Sequence, residues 1–473
     1  MQSREERDNI SSSYPYNTPI YFTNSGKVYG GIVVSLQRFV TTFQEYLWSF
    51  PMLFLLFGTH IYFTVGLNWI QRKIPKGIQL SLQGSKENTK GLSPYSALAT
   101  SLAATIGTGN IVGISTAVAI GGPGAIFWCW LTGVLGIATC YAECFLSVKY
   151  RKQASDGNCY GGPMYVLEER LKKRGLAVAF ALFTVLASFG IGSSVQAYSI
   201  RTAIDEQVSI SPHVIGIVVG VLAGFVIIGG SKQIARVCTW LVPVMSILYL
   251  GGCIYIVFKH WAILPETIGV ILTSAFSKQA VVGGVTGRAV LTGIRTGISR
   301  GLFTNEAGLG SIPMAAAETG AEDAVRQGLI SMTGPFWDTV VMCAITGIAA
   351  VSSMLKHPEA YLNVLPEKMC FVTFLELPYG GDVILSVSLA LFAFATIIGW
   401  NVYGTSAVRY LWGEEGIKLY QVLYMLFVYL GAVLSMELVW GVSDLFNSFM
   451  AIPNLICLWL LRREIIEETR KRI

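Results

Sequence analysis

The stretch Ala103-Ala-Thr-Ile-Gly-Thr-Gly-Asn110 decides the fold, and it lies inside an apolar segment that runs from about residue 95 to 120. Gly107 and Gly109, with the polar Thr108 and Asn110, make this stretch unsuited to a plain membrane helix. Unwinding a helix in hydrocarbon leaves N–H and C=O groups unpaired at a high energetic cost, so such a break persists only where something satisfies them. The pattern predicts a membrane helix interrupted at residues 107–110, whose freed backbone groups bind a solute and an ion.

The composition indicates an integral membrane protein. Apolar residues make up 53% of the 473 residues, charged residues make up 13%, and the mean hydropathy is +0.56. A soluble domain carries about twice that fraction of charge. Residues 1–44 are polar, which predicts an N-terminal tail rather than a signal peptide. The nine cysteines show no metal-ligand spacing and are expected to be buried free thiols.

The apolar segments of membrane length predict an all-α protein with about eleven transmembrane helices. They lie near residues 47–67, 96–120, 124–147, 177–200, 213–230, 238–258, 284–310, 329–352, 381–408, 419–436 and 442–461.

The distribution of positive charge predicts the orientation. With the C-terminus in the cytoplasm, the inside loops hold 22 of the 34 lysines and arginines. The positive-inside rule therefore places the N-terminus outside and the C-terminus in the cytoplasm of a multi-pass plasma-membrane protein, which in a bacterium is the inner membrane. The net charge of +6 is explained by this asymmetry, and the basic cytoplasmic edges are expected to contact anionic membrane lipids, so no nucleic-acid partner is expected.

A second segment in the other half of the chain also carries glycines and polar residues, Gly293-Ile-Arg-Thr-Gly-Ile-Ser-Arg-Gly301. The pair of predicted breaks and the odd span count indicate two inverted repeats of five spans, preceded by one extra helix. The predicted parts are a tail (1–44), the extra helix with its loop (45–94), the first repeat (95–260), the second repeat with its preceding loop (261–461) and a cytoplasmic tail (462–473).

Freed N–H groups at the first break, and the positive end of the half-helix that follows, suit a carboxylate. Thr108 and Gly109 are therefore candidate substrate residues, and packing through small residues is the alternative. Gln196 lines the same pocket or bridges two helices. Trp400, after a glycine, forms a pocket wall or packs as most membrane tryptophans do. Carbonyls at Gly293 and Gly297 are expected to receive an ammonium group.

Freed carbonyls at the end of the first half-helix suit Na⁺, and the expected donors are those of Ala103 and Ile106. The Asn110 amide adds a further ion ligand or a hydrogen bond. The Thr396 hydroxyl completes the cation shell or bonds back to its own helix. The four histidines show no metal spacing, and no nucleophile–base signature is present, so an enzyme is not expected.

Six ordered blocks between about residues 45 and 461 resemble the alanine/glycine:cation symporter family. They are Thr105-Ile-Gly-Thr-Gly-Asn-Ile-Val-Gly113, Gly121-Gly-Pro-Gly-Ala-Ile-Phe-Trp128, Tyr141-Ala-Glu143 with Lys149-Tyr-Arg151, Gly161-Gly-Pro-Met-Tyr165, Arg300-Gly-Leu-Phe-Thr-Asn-Glu-Ala-Gly-Leu-Gly310 and Ala451-Ile-Pro-Asn-Leu455.

The resemblance implies a LeuT-like fold, coupling to Na⁺ or H⁺, and uptake of small amino acids such as alanine and glycine. By position it implies substrate roles for Thr108 and Gly109, pocket roles for Gln196 and Trp400, and a sodium-site hydroxyl at Thr396.

Three residues depart from the family pattern. Ala395 replaces a serine beside the sodium-site threonine, Thr296 replaces a large aromatic residue, and Asn401 replaces a serine. Thr296 and Asn401 are expected to make the pocket roomier and more polar. The sequence thus predicts a monomeric, Na⁺-coupled importer of a small neutral amino acid. The alternative is a proton-coupled importer of a small polar amino acid.

Overall fold

The computed structural model describes residues 50–83, 91–153, 158–276, 286–320, 323–434 and 437–472, all within one compact unit that spans Val40–Ile473. The predicted N-terminal tail 1–44 and the first residues of the predicted first span lie outside the described residues.

The helices of the first half are α1 (Phe50–Gly66), α2 (Ile74–Leu82), α3 (Pro94–Thr105), α4 (Ile114–Gly121), α5 (Gly124–Lys149), α6 (Pro163–Glu169), α7 (Arg174–Ala187), α8 (Val195–Asp205), α9 (Pro212–Ile228), α10 (Gly230–Lys259) and α11 (Leu264–Phe276). Short 3₁₀ turns cover Ile70–Lys73 and Trp261–Ile263, and π-helical turns cover Gly109–Gly113 and Ser188–Ser194. Strands β1 (Lys152–Gln153) and β2 (Cys159–Tyr160) pair antiparallel.

The helices of the second half are α12 (Thr286–Asn305), α13 (Ile312–Ala317), α14 (Ala324–Ser331), α15 (Thr333–Pro335), α16 (Ala344–Lys356), α17 (Met369–Phe374), α18 (Gly381–Trp412), α19 (Glu415–Val433), α20 (Glu437–Leu460) and α21 (Arg462–Arg472). Phe336–Cys343 is a π-helical turn, and Pro358–Tyr361 and Pro366–Lys368 are 3₁₀ turns.

Within the described residues, six helices are long and apolar enough to cross a membrane, and nine spans result if each of three bent helix pairs counts as one. Every one of the eleven predicted spans overlaps a helix. However, α9 has only 17 residues and α12 does not meet the same criterion. The multi-pass helical membrane architecture is therefore established, and the count of eleven stays a prediction.

The predicted first break is confirmed. Ser93 caps α3 by accepting a hydrogen bond from the Ser96 amide, and Pro94 suits the first helical turn. The helix ends at Thr105, and the chain resumes as helix from Gly109 after a bend of 54°. Residues 106–108 are thus the interruption that the Gly-Thr-Gly pattern indicated.

The predicted second break within 293–301 is wrong, because that segment belongs to the continuous helix α12. The glycines there allow close packing. A Cβ on Gly293 would lie 2.6 Å from the Gly121 carbonyl oxygen, and one on Gly297 would lie 2.3 Å from that of Ala125. These glycines therefore bring α12 against α4 and α5, a common use of small residues in membranes.

The second interruption lies further on, at residues 306–311, between α12 and α13. Glu306, Gly308 and Gly310 have positive φ angles of 52°, 89° and 85°. The Glu143 carboxylate accepts hydrogen bonds from the backbone amides of Gly308 and Gly310, and the Asn454 amide donates to the Gly308 carbonyl at 2.9 Å. Side chains from other helices thus satisfy the polar groups that the break exposes.

The start of the first broken helix is bonded directly to the end of the second. The bonds involve Leu92, just before α3, and the residues around Thr319, just after α13. The Leu92 amide donates to the Glu318 carbonyl at 3.0 Å, and the Gly320 amide donates to the Leu92 carbonyl at 3.1 Å. These two bonds form a parallel bridge between the residue pair Leu92 and Thr319. The start of α3 is therefore fastened to the end of α13.

All nine cysteines lie in the described part of the chain and are buried and unpaired, as expected.

Candidate functional site

A small cavity lies where the two interruptions face α18 and the α7–α8 region. Its volume is about 30 Å³, which is room for about two water molecules. Its walls are Ala104, Thr105, Gly107, Thr108, Gly109, Ile191, Val195, Gln196, Phe303, Thr304, Glu306, Thr396, Trp400 and Asn447. Four predicted substrate residues (Thr108, Gly109, Gln196 and Trp400) and the predicted cation ligand Thr396 therefore meet around one space.

The first break is held open by Asn110. Its Oδ1 accepts a hydrogen bond from the Gly107 amide at 2.9 Å, which in a continuous helix would bond to the Ala103 carbonyl. The Ala103 carbonyl is thereby released from its helical partner. The Ile106 amide still bonds to the Leu102 carbonyl at 2.8 Å, while Ile106 itself is extended, with ψ of 94°. Ala103 and Ile106 do not line the cavity, but their carbonyls lie at the end of α3 that borders it.

Thr396 faces this end of α3. A Cβ on Gly107 would lie 2.9 Å from Thr396 Oγ1, so the hydroxyl touches the break. The hydroxyl donates to the Phe392 carbonyl at 3.0 Å, which is the back-bonded arrangement. Its lone pairs remain available, because donation uses only the hydrogen, so Thr396 can serve as an oxygen ligand in this position.

Close packing of α18 on α3 sets this geometry. A Cβ on Gly399 would lie 2.8 Å from the Ala104 nitrogen and 3.0 Å from the Ala104 Cα. Thr396 is one turn earlier on the same helix face. The missing side chain at Gly399 therefore lets Thr396 reach the break.

Asn110 belongs to a separate polar cluster on the other side of the break. Its Nδ2 donates to Asp338 Oδ1 at 2.6 Å, and the Thr339 hydroxyl donates to Asp338 Oδ2 at 2.6 Å. The Thr304 hydroxyl lies 3.3 Å from that of Thr339. This buried cluster of oxygens around Asp338 has the chemistry to hold a cation. Gly107 contacts both Asn110, through its amide, and the Thr396 hydroxyl.

Gln196 and Trp400 form the opposite wall. Gln196 Oε1 lies 3.5 Å from Thr108 Oγ1, and its Nε2 donates to the Ile191 carbonyl at 3.1 Å. Trp400 is fully buried. Its ring has space because residue 192 is glycine: a Cβ on Gly192 would lie 2.6 Å from Trp400 Cβ.

The structure does not bring Gly293, Thr296, Gly297 or Asn401 to the cavity. The two glycines and Thr296 lie on α12 where it packs on α4 and α5, and a Cβ on Gly121 would lie 3.2 Å from Thr296 Cβ. Asn401 is buried next to Trp400 and accepts a hydrogen bond from the Thr405 hydroxyl at 3.4 Å. The expectation that Thr296 and Asn401 widen the pocket is therefore not supported.

Sequence reasoning did not assign a role to several cavity residues, and the largest or most polar of these are Phe303, Thr304, Glu306 and Asn447. The signal for three of them was available in Phe303-Thr-Asn-Glu-Ala-Gly-Leu-Gly310, where polar residues precede two closely spaced glycines. This is the same pattern as at the first break. Asn447 lies within the apolar helix α20 and carries no such signal.

Two interrupted membrane helices that meet at a central cavity define a secondary transporter. A sequence profile of the sodium:alanine symporter family matches residues 33–471. This chain belongs to the sodium:alanine symporter family, whose members are membrane transporters and not enzymes.

Two relatives span almost the same length. The chain is 40% identical over 439 residues to the sodium/alanine symporter AgcS of Methanococcus maripaludis, an alignment that covers 91% of this chain and 96% of the relative. It is 33% identical over 432 residues to the probable sodium/glutamine symporter GlnT of Bacillus subtilis, with 90% and 89% covered.

Among solved structures, the crystal structure of MhsT in complex with L-phenylalanine shares the fold, with a TM-score of 0.57 and 15% identity over 81% of this chain and 93% of that chain. The LeuT-like fold is therefore confirmed.

Proposed function

We propose that this chain imports a small neutral amino acid, such as alanine or glycine, together with Na⁺. The observation that carries the proposal is the cavity itself, where Thr108 and Gly109 of the first break meet Gln196, Trp400 and Thr396. The substrate carboxylate binds the amides of Thr108 and Gly109, which lie at the positive end of the following half-helix and line the cavity.

The large side chains on the cavity wall support a small substrate. Space for about two waters does not hold an amino acid, so the walls must part before binding. Trp400 and Phe303 are the large side chains that line it, and Trp400 is fixed by contact with Gly192. The glutamine in the name of one relative belongs to that relative. Here the bulk of Trp400 and Phe303 on the wall favours a substrate of alanine size.

The ammonium group binds at the second break, around residues 304–306, rather than at 293–297. The Thr304 hydroxyl and the Glu306 carboxyl group line the cavity opposite the first break. A carboxylate and a hydroxyl there suit a primary ammonium, which offers three donors. This ammonium site replaces the one expected from the sequence, at the carbonyls of Gly293 and Gly297.

The Na⁺ ion binds between the end of α3 and Thr396. The carbonyls of Ala103 and Ile106 and the Thr396 hydroxyl supply oxygen ligands, which a hard cation prefers. The coupling energy is adequate: one Na⁺ moving through ~100 mV supplies ~2.3 kcal/mol, and a roughly tenfold ion gradient adds ~1.4 kcal/mol. Their sum supports a gradient of several hundredfold for a zwitterion.

Proton-coupled import of a small polar amino acid is the second candidate. The buried Glu306 favours it, because an acid on the cavity wall can take up and release a proton during transport. The Glu306 carboxyl group accepts a hydrogen bond at Oε2 from the Ser311 hydroxyl.

Uptake by purified protein in proteoliposomes tests both candidates. Labelled alanine, glycine and serine are offered with an inward Na⁺ gradient, an inward Li⁺ gradient or a proton gradient. Na⁺-driven alanine uptake is expected, and Thr396→Val is expected to raise the Na⁺ concentration for half-maximal uptake. Uptake that follows the proton gradient, ignores Na⁺ and is lost in Glu306→Gln would replace the first candidate by the second.

We further propose that the protein works as a monomer, with its N-terminus outside and its C-terminus in the cytoplasm. The excess of Lys and Arg in the predicted inside loops supports this orientation.

A further inference from the structure

A histidine pair and a glutamate meet on the face of the protein that the charge distribution assigns to the outside. His260 follows α10, His357 follows α16, and Glu376 follows α17. One ligand atom from each of these three side chains lies within 4.8 Å of the others. We propose that His260, His357 and Glu376 form a binding site for a divalent transition-metal ion of the Zn²⁺ type.

The spacing suits a tetrahedral ion. His260 Nε2 lies 2.8 Å from Glu376 Oε2, and His357 Nε2 lies 4.0 Å from the same oxygen. Ligands bound to Zn²⁺ at their usual distances are roughly 3.3 Å apart, so a shift of about 0.7 Å closes the distance between His357 and Glu376. His357 can make that shift, since its side chain is 44% exposed.

The other two ligands are held by neighbouring hydroxyl groups. His260 has a side chain only 2% exposed, and its Nδ1 lies 3.2 Å from Ser352 Oγ. Its Nε2 therefore faces Glu376 Oε2, 2.8 Å away. The Ser353 hydroxyl donates to Glu376 Oε1, leaving Oε2 directed at the histidines. Outer contacts of this kind orient metal ligands.

The chemistry of the cluster selects the kind of ion. Two imidazoles and one carboxylate, with a fourth position for water, are ligands for Zn²⁺, whereas Ca²⁺ and Mg²⁺ prefer shells of oxygen.

Two charged neighbours modify the site. Lys259 Nζ lies 3.4 Å from Glu376 Oε2 and 3.0 Å from the Glu376 carbonyl, so its ammonium competes with an ion for the carboxylate. The Glu359 carboxylate lies 3.8 Å from His357 Nδ1, on the side of the ring away from Glu376. Because Lys259 competes with the ion, its replacement is expected to strengthen metal binding.

A bound ion would tie the end of α10 to the segment that connects α16 with α18. Because α18 carries Thr396 and Trp400, restraint of this connection should slow the parting of the cavity walls. External Zn²⁺ is therefore expected to inhibit transport without entering the cavity.

Calorimetric titration of purified, tag-free protein with ZnCl₂ tests the site directly. One ion per chain is expected for the wild type, with at least about tenfold weaker binding in His357→Ala and Glu376→Gln and tighter binding in Lys259→Gln. The matched control is His213→Ala, since this exposed histidine bonds only the Tyr429 hydroxyl, at 2.8 Å, among the contacts that the structure describes. It should bind Zn²⁺ as the wild type does. CaCl₂ should give no heat of binding.

Wild-type protein that binds Zn²⁺ no more tightly than His357→Ala would overturn the site, and the cluster would then be an ion-pair network around Glu376. Equal loss in His213→Ala would overturn it too. Since titration does not require transport, this result is independent of the proposed substrate. Inhibition of uptake by external Zn²⁺ that disappears in His357→Ala would support the restraint on α18, and unchanged uptake would refute that consequence.

Discussion

Replacing Gly399 by alanine tests whether the packing of α18 on α3 controls the proposed Na⁺ site. The added Cβ would lie 2.8 Å from the Ala104 nitrogen. Contacts of this kind become favourable near 3.5 Å, so α18 must move from α3 by about 0.7 Å. The obstacle is backbone, so no side-chain rotation relieves it. The movement takes the Thr396 hydroxyl away from the end of α3, where the proposed carbonyl ligands of Ala103 and Ile106 lie.

The magnitude follows from the energy of overpacking. Adding a methyl group to a tight contact costs about 1–3 kcal/mol. The ion-free protein can relieve that strain by separating the helices, whereas the Na⁺ complex requires them close. The overpacking therefore weakens Na⁺ binding, and each 1 kcal/mol lowers the Na⁺ affinity about fivefold. The Na⁺ concentration for half-maximal uptake should rise at least about fivefold in Gly399→Ala.

The assay is the Na⁺ dependence of alanine uptake in proteoliposomes that contain equal amounts of folded protein. Gly251→Ala is the matched control, because a Cβ at Gly251 on α10 meets nothing within 4 Å. It should leave Na⁺ dependence unchanged. Well-folded Gly399→Ala protein with wild-type Na⁺ dependence would refute the link between this contact and the ion.

Three further outcomes are expected. Gly109→Val should abolish uptake while the protein remains folded, since the Cβ at that position already lies 3.1 Å from Thr304 Cγ2; normal uptake would exclude the carboxylate from the first break. Trp400→Ala should broaden competition in an amino-acid panel toward leucine-sized substrates, and an unchanged profile would show that the ring does not limit size. Burial raises the pKa of Glu318 from 4.5 to about 7. The folded state therefore keeps a proton that the unfolded state loses, and thermal stability should fall as pH rises from about 4.5 to 7. Glu318→Gln should flatten this pH dependence, and equal pH dependence in both proteins would contradict the role of Glu318.

The first break and much of the cavity could be predicted from sequence, because Gly107 and Gly109 flank a polar residue inside a strongly apolar segment. No packing explanation accounts for that combination as well as an unwound helix does. Thr396 and Trp400 were found by their spacing along one helix and by resemblance. Their contact with the break, through Gly399 and Gly192, required the fold.

The second break was misplaced because glycine serves two purposes in membrane helices. Gly293 and Gly297 are one turn apart, which is the spacing of a packing face, and they lie against the carbonyls of Gly121 and Ala125. The interruption in the structure starts at Glu306. This residue has a positive φ, which a glutamate does not indicate from sequence. It is stabilised by Glu143 from a distant helix.

The cluster of His260, His357 and Glu376 had no local signature. Its members lie in three separate connections, and the packing of α10 and α16 brings them together. Spacing rules detect ligands on a single turn or helix, so a site assembled by tertiary structure escapes them.

The bridge between Leu92 and Thr319 has a mechanical consequence. Two backbone hydrogen bonds fasten the beginning of one interrupted helix to the end of the other. Backbone bonds resist sliding, because a shift of one residue would break both at once. A tilt of either half-helix must therefore carry the other with it. The two walls of the cavity that the breaks supply should then swing as a pair about this junction, so that carboxylate and ammonium groups are released in the same motion.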